Sequence, residues 1–345
     1  MQIFDKNGFL NVPEIAKIDA PFKILIGARQ IGKTYGLSKY LVDNDKRFIY
    51  MRRQSSEIEF IVANDEDNPF MKVYRTENNT DYGMVFRKSG KYIYNIYNMM
   101  DEKQEYIKGI ALSLTSVAKI RGFSADKYTD IFYDEFIPEK HVHKIAYEAD
   151  ALFNAYETIN SNRELDGKKP VNLWLLANAN NLNNPILSAM GLINHIEKMI
   201  TKGQSFSYLQ DRGIVIVYAQ GSPISDRKRK TALYKAVRSE QFKNMALDND
   251  FSYNDFSNII SQKLIEYKPL LVIDGITILI HKNTEKIYAI NKALPCKYIY
   301  SNSDSDIRAA KMRFDSLFLY YIDNCFYFDS FDTKQRLLDI FGWSY

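Results

Sequence analysis

Gly27-Ala28-Arg29-Gln30-Ile31-Gly32-Lys33-Thr34 places two glycines, a lysine and a hydroxyl in the order G-x-x-x-x-G-K-[ST], the pattern of a phosphate cradle. Gly27 and Gly32 let the backbone turn so that successive N–H groups converge on phosphate oxygens. A helix starting behind them adds its dipole. The Lys33 ammonium can reach the β- and γ-phosphates of a nucleotide, and the Thr34 hydroxyl can ligate Mg²⁺. A second reactive group follows later in the chain. The mainly apolar run Tyr128-Thr129-Asp130-Ile131-Phe132-Tyr133 ends in two adjacent acids, Asp134 and Glu135. Asp134 at the end of a strand would hold Mg²⁺ through water, and Glu135 would orient and deprotonate an attacking water. Each motif has a plain alternative, an ordinary strand–helix turn for the first and an acidic loop for the second. Their joint presence favours ATP hydrolysis.

The elements that must position these residues are legible around them. Phe22–Ile26 reads as a short buried strand and Lys33–Leu41 as a helix. Arg47–Met51 reads as the next strand, ended by Arg52 and Arg53. Strand, turn, helix and strand form a βαβ unit and imply a parallel sheet. This places Arg52 and Arg53 on the strand beside the P-loop strand, near the phosphates. Residues 54–105 read as an insertion with short strands at Lys72–Tyr74 and Lys91–Tyr97. Ile110–Ser116 is a strand, followed by a loop carrying Lys119 and Arg121. His143–Glu164 has apolar residues at helical spacing. Val171–Ala177 is a buried strand ending at Asn178, which could touch the γ-phosphate or its water; a turn role is the alternative. Asn184-Pro185 opens a helix, and Gly213–Ala219 is a further strand. A glutamate directly after the Asp134 aspartate points to the additional-strand, catalytic-glutamate class of P-loop ATPases.

The chain then changes character. Ser225–Lys243 holds Arg227, Lys228, Arg229, Lys230, Lys235, Arg238 and Lys243 against Asp226 and Glu240. This is either a solvated linker helix or a surface for phosphate backbones. The domain reading is a P-loop ATPase domain over 1–220, a basic linker region over 221–265 and a smaller α+β domain over 266–345. In the last, Leu270–His281 reads as a strand bearing Asp274 and pairing with Lys286–Ile290 across Asn283-Thr284. Lys297–Tyr300 and Cys325–Phe328 are short strands; Ile307–Tyr321 and Thr333–Phe341 are helices.

Composition bounds the partners. The chain has 345 residues, enough for two domains. A 46% apolar content supports a real core, and 25 Tyr and 21 Phe argue against disorder. A net charge of +4 permits a nucleic-acid partner without requiring one. Cys296 and Cys325 form neither a metal spacing nor a disulfide framework, so a reducing compartment is expected. Asp5, Lys6 and Pro13 interrupt the beginning of the chain, which does not read as a signal peptide. No run of 18 apolar residues calls for a membrane.

Four blocks carry a resemblance. Ile26–Thr34, Arg47–Arg53, Ile131–Phe136 and Asn162-Arg163-Glu164 with Ala177-Asn178-Ala179 are similar to those of the genome-packaging ATPases of small tailed phages of the phi-29 type. The similarity covers roughly residues 20–190, in order. It implies a ring, usually of five subunits, at the portal (connector) vertex of an empty procapsid in the host cytoplasm, absent from the mature virion. Such a ring pushes double-stranded DNA inward using ATP and Mg²⁺, and a packaging RNA can tether it. It also implies that the C-terminal domain is RNase H-like without nuclease activity. By resemblance, Arg163 lies in the region of the trans-acting arginine finger, with Ser161 where a second arginine can stand. Lys119 and Arg121 fall in a loop resembling a second trans-acting basic site, or touch DNA. Arg52 and Arg53 are candidates for the same roles. Lys91, Lys119 and Lys127 are candidates for a DNA-lined pore.

Two other functions fit the same motifs. One is a different DNA-translocating ATPase or helicase. The other is a nucleotide-dependent assembly switch, against which Glu135 argues, since a switch has no need of a strong base there.

Overall fold

Phe22–Gly27 (β1) is buried along nearly its whole length, as an apolar run with helices on both faces of a sheet requires. In this computed structural model the structure describes residues 1–80, 83–99, 105–117, 125–139, 142, 145–179, 182–219, 223–238 and 257–343. Lys119 and Arg121 lie outside the described residues. The chain divides into two compact units, Met1–Ile186 with Met199–Tyr253, and Leu187–Lys198 with Asn254–Tyr345.

The first unit is built on nine strands: β1, β2 (Phe48–Arg52), β3 (Met84–Lys88), β4 (Tyr94–Met99), β5 (Glu105–Ser113), β6 (Asp130–Asp134), β7 (Asn172–Ala177), β8 (Phe206–Leu209) and β9 (Ile214–Ala219). Their order is β3-β4-β5-β2-β6-β7-β1-β9-β8. The central strands from β5 through β9 run parallel, and antiparallel pairs close both edges. β7 therefore lies between the P-loop strand β1 and the acid-bearing strand β6, as the additional strand of the expected class. Leu25, Phe48, Tyr50, Phe132, Trp174 and Val217 are among the side chains that fill the core on the sheet.

Three readings in this unit are corrected. β2 does not adjoin β1; it pairs with β5 and β6, and β6 and β7 stand between it and β1. Lys72–Tyr74 is not a strand but part of the helix Pro69–Asn78. Asn68 caps that helix, its Oδ1 accepting from the Phe70 and Met71 amides, with Pro69 at the first turn. The helix read over His143–Glu164 is shorter, Glu148–Asn160, and starts after Tyr147 in a left-handed conformation.

The second unit carries β10 (Tyr267–Ile273), β11 (Ile276–His281), β12 (Ile287–Ile290), β13 (Ile299–Tyr300) and β14 (Phe326–Phe328) in the order β13-β10-β11-β12-β14. β10, β11 and β12 are antiparallel, and β13 and β14 add in parallel at the two edges. Leu271, Ile278, Phe326 and Phe328 form its core with helices Asp304–Arg313 and Phe331–Phe341. The single strand read over Leu270–His281 is a hairpin. Asp274 (φ +48°) and Gly275 (φ +77°) form its two-residue turn, and Arg336 donates to the Asp274 carboxylate at 2.9 Å. Asp274 is thus a turn residue rather than a strand carboxylate. Among the described residues no helix is long and apolar enough to cross a membrane.

Candidate functional site

The parallel strands end together, and their C-terminal ends collect the reactive residues, the usual place for ligands in such sheets. Gly27 ends β1, Arg52 ends β2, Asp134 ends β6 and Asn178 follows β7. The loop from Gly27 turns through Gln30 (φ +65°) and Gly32 (φ +87°), conformations that point successive amides inward. A Cβ at Gly27 would collide with the Ile31 side chain and lie 3.1 Å from Ala219. Gly32 also stands at the N-cap of helix Lys33–Asp43, where it brings no side chain to compete for the first-turn amides.

Lys33 is buried. Its Nζ donates to the carbonyls of Gly27 (2.8 Å) and Ala28 (2.7 Å) and to Asn178 Oδ1 (3.0 Å). Burial pushes its pKa down to about 7, against the opposing pull of the Asp134 and Glu135 carboxylates. Thr34 Oγ1 donates toward Asp134, 3.1 and 3.2 Å from its two oxygens. The Asp134 side chain is buried, and burial pushes its carboxyl up to about 6 although Arg52 counteracts this. A hydroxyl beside a buried carboxylate is a hard oxygen donor set that suits Mg²⁺.

Glu135 is held at φ +55°, an uncommon conformation for a side chain of this kind and one that turns it away from the strand line. Its carboxylate is half exposed and accepts from Arg52 Nη2 at 2.5 Å. Arg52 also approaches Asp134 and Glu57, each at 3.5 Å. Burial works against its charge, but Tyr50 and these three carboxylates hold its pKa above the ordinary range. A cavity of about 490 Å³ opens beside this cluster, lined by Thr34, Arg52, Glu57, Phe60, Asp134 and Glu135 among others. The sequence suggested a phosphate or partner contact for Arg52; the structure gives it the acid pair.

Arg53 behaves differently. It was a candidate for the phosphates, a neighbour's site or DNA. Instead it is 1% exposed and makes a two-point ion pair with Glu148 (2.7 and 3.1 Å), which Tyr133 also approaches. Truncating one partner leaves a buried charge alone. Arg53→Ala is expected to cost about 3–5 kcal/mol of stability, read as the shift in a denaturant unfolding curve. A loss under about 1 kcal/mol would mean the pair is solvated.

The remaining predicted basic side chains turn to other partners or to solvent. Arg29 is exposed and pairs with Glu139. Arg163 is half-buried and donates through Nη2 to the carbonyls of Asp126 (2.6 Å) and Tyr128 (2.7 Å). Lys91 and Lys127 are exposed. Sequence reasoning missed Glu57, which closes a capping box on Gln54 at the start of helix Ser55–Ala63 and faces Arg52. The box was the available signal.

A phosphate-binding loop after β1 and an acid pair after β6, with β7 inserted between the two strands, define a P-loop NTPase. Residues 4–317 match the podovirus DNA encapsidation protein (Gp16) family, and the chain belongs to that family. The DNA packaging protein of Bacillus phage B103 is 28% identical over 253 residues, spanning 71% of this chain and 68% of that protein. The DNA packaging protein of Bacillus phage phi29 is 27% identical over 252 residues, spanning 72% and 67%. Among solved structures, a chain of the bacteriophage Phi-29 viral genome packaging motor assembly superposes with a TM-score of 0.67 at 21% identity, over 97% of this chain and 98% of that one. A chain described as the Phi-28 gp11 DNA packaging motor gives 0.62 at 15% identity, over 98% and 99%. These two likenesses are of fold. The packaging-ATPase resemblance carried by the four sequence blocks is borne out at the level of family and fold.

Proposed function

We propose that this chain hydrolyses ATP and uses the energy to drive double-stranded viral DNA through the portal into an empty procapsid. The observation that carries the reading is the meeting of Lys33, Thr34, Asp134, Glu135 and Asn178 at one sheet edge, with Thr34 Oγ1 already directed at Asp134. The loop Gly27–Thr34 would hold the phosphates through its amides and Lys33. Thr34 and Asp134 would hold Mg²⁺, which offsets charge on the phosphate oxygens. Glu135 would take the proton of the attacking water. Arg52 ties that carboxylate, so the base becomes available when the pair opens. Asn178 accepts from Lys33, and this bond would report changes at the phosphates to β7.

A ring places each site beside a neighbour. In a homo-oligomeric ring, a pentamer by family resemblance, Arg163 would supply a cation to the next subunit's site. Lys119 and Arg121 are the further candidates for that role or for DNA. Translocation needs a grip on the phosphate backbone without reading bases, for which exposed Lys91 and Lys127 are suited. The second unit, read as an RNase H-like fold without activity, would then serve assembly at the portal, with or without a packaging RNA. The domain reading of 1–220, 221–265 and 266–345 stands as the proposed division of labour. Work would be done in the host cytoplasm, transiently at the procapsid vertex.

The test is ATP turnover by the purified chain with Mg²⁺, with and without duplex DNA and procapsids. The expected result is turnover that rises several-fold when both are present. Turnover indifferent to them would favour the assembly-switch reading.

A further inference from the structure

The basic run after β9 was open to two readings, a solvated helix or a surface for DNA. Its first helix, Pro223–Lys228, is committed elsewhere. Lys228 Nζ donates to the Arg29 carbonyl in the phosphate loop at 2.9 Å. Arg227 Nη2 donates to the Asn7 carbonyl at 2.6 Å. Asn7 belongs to the lead-in loop that covers the same turn: the Leu10 amide donates to the Ile31 carbonyl at 2.9 Å, and the Phe9 ring lies against Gly32. The helix therefore grips the phosphate loop twice, once directly and once through residues 7–10. Lys228 is half-buried, and burial lowers its pKa. Its charge also acts on Lys33, lowering that ammonium further.

A cation bonded to a neutral carbonyl at the rim of an anion cradle has a better partner available. A charge-assisted bond to a phosphate oxygen is roughly twice as strong as one to a neutral acceptor. We propose that Lys228 is a nucleotide-binding residue: it exchanges the Arg29 carbonyl for phosphate oxygens of the nucleotide in the loop, and so couples occupancy of the site to helix Pro223–Lys228. The inference rests on reading Gly27–Thr34 as the nucleotide site. It gives the basic run a different task from DNA contact.

The experiment uses the full chain and Mg²⁺ with the slowly hydrolysed analogue ATPγS, titrated by calorimetry. Lys228→Gln is expected to weaken binding about tenfold, the scale of one charge-assisted bond. Lys228→Arg, which keeps the charge, is expected to stay within about threefold of the natural chain. Hydrogen exchange supplies a readout that a packing role would not move. The analogue should slow exchange over residues 223–238 in the natural chain and leave that region unchanged in Lys228→Gln, while slowing residues 27–34 in both. Wild-type affinity in Lys228→Gln, or equal weakening by Gln and Arg, would overturn the proposal. So would a weaker, less salt-dependent DNA complex in Lys228→Gln with nucleotide binding intact. If the natural chain bound no better than Lys33→Met, the nucleotide-site reading would fall, and the inference with it.

Discussion

Glu135→Gln should abolish ATP turnover, by about 10²–10⁴-fold, the contribution of a positioned general base. Glutamine keeps the size of the side chain and leaves the φ of +55° that aims it unaltered. It loses the proton acceptor, and it loses the charge that pairs with Arg52. Nucleotide affinity should be unchanged or tighter, because a carboxylate beside the phosphate cradle repels the triphosphate. The two quantities are separable by steady-state turnover and by titration with a fluorescent nucleotide. A variant that kept a tenth or more of the natural rate would remove Glu135 from the role of base.

Arg163→Ala should lower turnover of the assembled ring by about 10³-fold or more, the range measured for arginine fingers. Arg163 does not approach the phosphate loop of its own chain; its guanidinium bonds to the Asp126 and Tyr128 carbonyls. A direct role in catalysis thus requires a neighbouring subunit. ATP binding by the isolated chain should stay within about twofold. The lost carbonyl bonds should cost only about 1–2 kcal/mol of stability. Mixing is the sharper assay. A ring combining Arg163→Ala subunits with Glu135→Gln subunits contains interfaces where an intact base meets an intact arginine, so part of the lost turnover should return. Two inactive variants that stay inactive when mixed would place Arg163 in a structural role.

The parts of this site that are local in sequence were legible there. Gly27, Gly32, Lys33 and Thr34 act as one turn, and Asp134 and Glu135 sit side by side after an apolar run. Asn178 ends a strand of unmistakable character, but the sequence left it between a turn role and a phosphate contact; its Oδ1 accepts from Lys33. What the sequence hid depends on strand order. β2 was read as adjoining β1 because it follows it, yet it lies beyond β7 and β6, beside the acid pair. That placement sends Arg52 to Asp134 and Glu135. Arg53 is one residue further, and successive residues leave an extended segment on opposite sides, so it ends in a buried pair with Glu148. Two errors came from overlooked local signals: Asn68-Pro69 starts a helix across Lys72–Tyr74, and Asp274-Gly275 turns the apolar run Leu270–His281 back on itself. Lys228 stood in plain view within a basic run, but its contact with the carbonyl of Arg29 bridges residues far apart in the chain.

The proposed motor hydrolyses ATP at Lys33, Asp134 and Glu135 and moves DNA. Its most direct test is the amount of duplex DNA that becomes protected from added nuclease when the chain, procapsids, DNA and Mg-ATP are combined. Protected, genome-length DNA is expected with the natural chain, and none with ATPγS in place of ATP or with Glu135→Gln. Protection that proceeds equally without ATP hydrolysis would rule out an ATP-driven motor.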